Sequence, residues 1–154
     1  MNKYIQEAIE KLPDYSEKFT MKVDKVRLDL TTALNMNFTH DKDMNYSVAQ
    51  KLSHCTRDSN GMEYKLVIYI SSRAPVFTIL CLIRMSKNEW STPVIIDQQS
   101  ESIRRMTENV SMALQNIGFR SIQGPVLYEY VSGVVTDMDG APATVFDALF
   151  SELH

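Results

Sequence analysis

Glu63-Tyr-Lys-Leu-Val-Ile-Tyr-Ile70, Ser71-Ser-Arg-Ala-Pro75 and Val76-Phe-Thr-Ile-Leu-Cys-Leu-Ile-Arg84 follow one another without interruption. Two runs dense in branched and aromatic side chains flank a five-residue break that holds two serines and a proline. Such residues fit a pleated, half-buried surface, and the break suits a hairpin loop. The stretch predicts two neighbouring antiparallel strands, against which the rest of the chain can pack.

Upstream, Asp58-Ser-Asn-Gly61 is a strong turn signal directly before the first of these strands. The preceding segment, Tyr46 to Thr56, is ambiguous: Val48, Leu52 and Cys55 allow a helix, whereas Val48, Gln50, Leu52 and His54 alternate as in a strand. The turn favours the strand, which gives a three-stranded meander over about 47–85. Pro93 to Ile96 can add a fourth, short strand. Met36 to Asn45 is polar and reads as a loop.

Two helices precede the meander. Tyr4, Ile5, Ala8, Ile9 and Leu12 share one helical face, and Pro13 ends it. Asp14 with Glu17 resembles a capping box, opening a helix to about Asn35 with Tyr15, Phe19, Val23, Val26, Leu30 and Leu34 at spacings of three and four. A further amphipathic helix follows the meander. Asp97 is its expected N-cap, Ile103, Met106, Val110, Leu114 and Ile117 its stripe, and Gly118 its C-cap. Glu101 with Arg105, and Arg104 with Glu108, are spaced as pairs on the wet face. Near the end, Gly124-Pro125 suits the start of a short helix carrying Leu127, Tyr128 and Val131, and Asp139-Gly140 marks a turn. Thr144 to Leu153 leans towards a helix capped by Thr144 and Asp147, with a closing strand as the alternative. The expected fold is α+β: an antiparallel meander of three to four strands, packed by an N-terminal helical pair and a central amphipathic helix. At 154 residues it is expected to form one domain, spanning 1–154.

Composition narrows the function. The chain is 44% apolar and 23% charged, which excludes a disordered or fibrous protein. No apolar run reaches the roughly 18 residues of a membrane span, and the N-terminus has no signal-peptide pattern, so a cytoplasmic protein is expected. Cys55 and Cys81 stand far apart and read as reduced, buried thiols. Among the methionines, Met85, Met106 and Met112 read as core fillers, and Met36, Met44 and Met138 as loop residues. Net charge is −3, and residues 121–154 hold five acids and no Lys or Arg. A nucleic-acid interface carries the opposite sign, so direct nucleic-acid binding is not expected.

Each candidate for chemistry meets a physical objection. Val134 to Gly140, with Asp137 and Asp139 two apart, resembles the first motif of the haloacid-dehalogenase phosphatases, which implies a nucleophile, an acid/base and a magnesium ion. That family needs a lysine and further acids downstream; 14 residues follow Gly140, and none is Lys. Nor is the segment an EF-hand loop, since Ala148 occupies the position of the bidentate Glu. His40-Asp41-Lys42-Asp43 lacks any paired ligand spacing for a metal, and His54 shows no partner. No Gly-x-Ser-x-Gly elbow is present. The expectation is a protein without catalytic residues, metal or cofactor.

The C-terminal third carries a different likeness. Gly118-Phe119, then Gly124 to Gly133, then Ala143 to Leu153 resemble the ending of small bacterial immunity proteins, the cytosolic antidotes of contact-dependent inhibition and other polymorphic toxin systems. The resemblance covers about 35 residues and implies a small α/β protein that binds a toxin domain and blocks its active site. A toxin that cuts nucleic acid presents a basic cleft, to which acids are complementary. The groups singled out for contact are Asp41, Asp43, Glu129, Asp137, Asp139 and Asp147, with Trp90 as an interface anchor. A monomer is expected for the free protein. A secretion chaperone would instead need an exposed apolar groove and usually a dimer. A phosphatase-like hydrolase on Asp137 and Asp139 is the third reading.

Overall fold

The computed structural model describes residues 1–44, 47–94, 100–136 and 140–151. The quoted stretch forms β3 (Glu63–Ser71) and β4 (Val76–Ser86), paired antiparallel from Tyr64 opposite Ile83 to Ile70 opposite Phe77. β2 (Ala49–Arg57) joins β3 through a turn in which Gly61 takes φ 80°, a conformation that favours glycine, and Asp58 accepts from the Asn60 and Met62 amides. The meander is therefore present, and the fold is α+β.

The segment expected to be a loop after the second helix contains a strand. β1 (Thr39–Asp41) pairs antiparallel with β2 from Thr39 opposite Ser53 to Asp41 opposite Lys51. Three residues are too few for a readable alternation. On the opposite edge, β4 is shared. Its start pairs in parallel with β6 (Arg120–Ser121), where Ile122 N–H reaches the Phe77 carbonyl at 2.9 Å. Its far end pairs antiparallel with β5 (Glu89–Trp90). Between them Val94 makes a lone antiparallel bridge to Cys81, at the place where the Pro93–Ile96 strand was expected; Ile95 and Ile96 lie outside the described residues. Ile79 falls in the interval between the two attachments.

Helices cover both faces. α2 (Glu17–Leu34) and α3 (Glu101–Ile117) bury Phe19, Val23, Val26, Leu30, Val110 and Leu114 against Leu52, Ile68, Ile70, Phe77 and Ile79. On the other face α1 (Lys3–Glu10), the 3-10 helix Gly124–Tyr128 and α4 (Val145–Phe150) bury Ile5, Ala8, Leu127, Val145, Leu149 and Phe150 with Ala49 and Val76. β7 (Tyr130–Val135) and β8 (Pro142–Thr144) form a separate hairpin that leads into α4. Val131, expected in the short helix, belongs to β7, because the helix ends as a single 3-10 stretch at Tyr128.

Helix ends follow local chemistry. Asn2 caps α1 by accepting from Ile5 N–H at 2.9 Å, and the helix ends before Leu12, which is exposed. Asp14 is not a helix cap: it accepts from the Ser16 amide at 2.8 Å in a local turn, and α2 starts at Glu17 behind Ser16. The Ser16 hydroxyl, followed by its amide, holds the Asp14 carboxyl below its usual range. α3 starts behind Ser100, whose side chain accepts from Ile103 N–H; Asp97, the expected cap, lies outside the described residues. The Glu101–Arg105 pair is present at 2.9 Å, and Gly118 closes the helix with φ 114°. Ile117, placed on the stripe by spacing, is partly exposed because the helix ends there. Thr144 and Asp147 form a reciprocal capping box, so the terminal segment is a helix.

Met106 packs beside Leu66, Cys81 and Ile103 as expected, and Met138 lies outside the described residues, but the other four methionines differ from expectation. Met85 and Met112 are exposed, whereas Met36 and Met44 pack against the core formed by α2, α3 and the sheet. Cys81 is buried as expected; Cys55 is exposed.

Candidate functional site

A groove of about 730 Å³ straddles the shared edge of β4. One wall is α3, which lines it over successive turns with Arg104, Thr107, Glu108 and Ser111. The other wall is the 3-10 helix with the residues entering it, notably Pro125, Leu127 and Tyr128. Pro93 and Val94 close one end, and Ile79 and Leu80 lie across the base. Thr107 uses its hydroxyl on the Ile103 carbonyl of its own helix at 2.9 Å, so it brings little polarity to the groove. Arg104 and Glu108, expected to be a solvated pair, line the groove. An apolar groove with a few polar groups is built to take up another molecule's apolar surface.

Sequence pattern did not point to this groove. Its walls come from four segments far apart in the chain, and none of them is marked by periodicity as a binding face. The one available signal was Gly124-Pro125, which starts the 3-10 helix of the second wall with Gly124 at φ 79°.

The acids singled out from the sequence, where described, have different local partners. Asp41 and Asp43 come together at a smaller cleft of about 220 Å³, shared with Ser47, Lys51, Tyr69, Phe150 and Ser151. There Asp41 accepts from the Asp43 amide at 3.0 Å and faces Lys51 Nζ at 4.0 Å. Lys51 also lies over the Tyr69 ring, 5.6 Å from its centroid. Burial, followed by the Asp41 charge, pushes the Tyr69 phenol up. Glu129 pairs with the N-terminal ammonium at 3.7 Å, and Asp147 is the capping-box partner of Thr144 in the first turn of α4. Asp137 and Asp139 lie outside the described residues. Trp90 is half-buried on β5, with Arg84 at 4.7 Å and Lys65 at 5.7 Å from its ring.

The two described histidines have structural partners. His54 Nδ1 meets the Asn37 carbonyl at 2.7 Å, and His40 Nε2 meets Gln50 Oε1 at 2.7 Å. Among the described residues no three His, Cys, Asp or Glu side chains converge as metal ligands. No described helix is long and apolar enough to cross a membrane. Comparison with protein-family models, with curated proteins and with solved structures gave no match.

Proposed function

We propose that this chain neutralises a toxin domain by binding it, in the manner of an immunity protein, and that the groove between α3 and the 3-10 helix is its contact face. The observation that supports this is the groove itself: about 730 Å³, open, apolar at its base and set across a sheet edge. Ile79 sits in a short interval between β6 and Val94, so the space suits a protruding loop or side chain better than a long added strand. A toxin loop seated there would be held while the surrounding surface covers the toxin's active site. The chain's net charge of −3 favours encounter with a basic partner such as a nuclease domain.

The test starts from the gene immediately upstream, which should encode a large secreted protein with a variable C-terminal domain, and co-expresses that domain with this chain. Growth should be restored and a complex should elute from a sizing column. Tyr128→Asp and Ser111→Trp, placed on the groove walls, should abolish both. Lack of rescue, or full rescue by both variants, overturns the proposal. The same groove favours a second reading, a secretion chaperone that shelters an apolar segment of an effector. A homodimer that stabilises the effector without inhibiting it would select that reading.

A further inference from the structure

The sheet is covered unevenly on the side of α1 and α4. Register places Lys51, Tyr69 and Thr78 in one row across β2, β3 and β4, and α4 closes it with Phe146 edge-on to Tyr69 at 5.2 Å. The next rows are Ser53–Val67–Leu80 and Cys55–Lys65–Leu82, followed by Arg57 opposite Glu63, with Arg84 beside Trp90. Val67 is buried, Leu80, Leu82 and Trp90 are half-buried, and Cys55 and Arg57 are exposed. These last rows form an open face with an apolar centre. It extends about 14 Å along the strands and a similar distance across them, enough for one helix about 10 Å wide.

The charge of this face is opposite to that of the chain. Among the described residues of these rows, Arg57, Lys65 and Arg84 are offset by Glu63, which pairs with both arginines. Lys65 has no carboxylate in its own row and instead lies over the Trp90 ring. The local balance is about +2 in a chain of net charge −3.

We propose that this open sheet face docks an acidic amphipathic segment of a partner protein, with its apolar side on Leu80 and Leu82 and its carboxylates reaching Lys65 and the Arg57–Arg84 edge. Complementarity of sign selects the partner, and the leucines supply contact area. The inference does not rest on the antidote reading: this face meets the groove at Leu80, but it extends away from it through Leu82, Lys65 and Arg57 and takes a partner of opposite charge.

Trp90 is the chain's one tryptophan, so its emission reports on this face directly. The probe is a synthetic helix-forming peptide of Leu and Glu at amphipathic spacing, set beside a Leu/Lys peptide of the same pattern and an all-polar Glu peptide. Saturable change is expected with the Leu/Glu peptide alone, weakened about tenfold or more when salt is raised to about 0.5 M. Lys65→Glu should weaken binding at least about tenfold, and Leu82→Gln should weaken it with less effect on salt dependence. Both positions are partly exposed, and melting of each variant confirms the fold. Equal response to the Leu/Lys peptide, no response to any peptide, or unchanged binding by both variants overturns the proposal. So does an emission change with protein concentration alone, which would make a second copy the occupant.

Discussion

Arg73 donates from Nε to the Ala148 carbonyl at 2.8 Å, tying the loop between β3 and β4 to the end of α4. The same guanidinium donates to the Lys11 carbonyl at 2.7 Å, just beyond the end of α1. A single cation thus meets the carbonyl ends of two helices, where helix dipoles favour positive charge. Burial lowers the Arg73 pKa, yet a guanidinium stays charged throughout the working range. Arg73→Met should therefore destabilise the fold by about 2 kcal/mol in urea unfolding. Arg73→Lys should recover little of this, since an ammonium cannot span both carbonyls. Full recovery would show that charge alone matters.

Gln50 is almost fully buried and links three elements. Its amide nitrogen donates to Thr20 Oγ1 on α2 at 2.8 Å, so its Oε1 can only accept, which places the proton of the His40 ring on Nε2. Gln50→Leu would leave the hydroxyl of Thr20 and the imidazole of His40 without these partners. We expect a loss of about 1–3 kcal/mol, measured by urea denaturation. Thr20→Val should relieve part of it in the double variant.

The two thiols should differ sharply in reactivity. Burial pushes the Cys81 thiol up to about 11, whereas Cys55 is exposed. Intact-mass measurement after alkylation at neutral pH should show one label on the folded protein and two after denaturation. Cys81 also sets an alkaline limit. Its pKa is raised on folding, so its contribution is complete below about 9 and is lost as pH rises towards about 11. Cys81→Ala should flatten that part of the stability profile.

Acid should act through Asp24. The Arg27 hydrogen bond at 2.9 Å holds its carboxyl below the ordinary 3.8. A carboxylate lowered on folding stabilises above that value, and the contribution disappears as pH falls through the lower folded one. Asp24→Asn should reduce the slope of stability against pH below about 4. An unchanged slope would assign acid sensitivity to other carboxylates.

The long elements were legible because burial imposes a period. β3 and β4 showed as dense apolar runs, and α3 showed as a stripe ending at Gly118. The readings failed where a side chain's fate depends on what arrives from elsewhere. Met85 and Met112 are exposed because no element reaches them, while Met36 and Met44 are enclosed by packing that spacing does not encode. Asp14 satisfied a capping pattern, yet its carboxylate closed a turn two residues too early. The groove was invisible for the same reason, being made by the meeting of four distant segments.

The divided border of β4 bears on self-association. A continuous strand edge is a template on which further chains can stack, the first step towards fibrils. Here β6 runs one way along it and β5 the other, so an intruding chain finds only a short stretch around Ile79 in any one direction. Ordered aggregation from this border therefore requires β5 or β6 to be peeled away first.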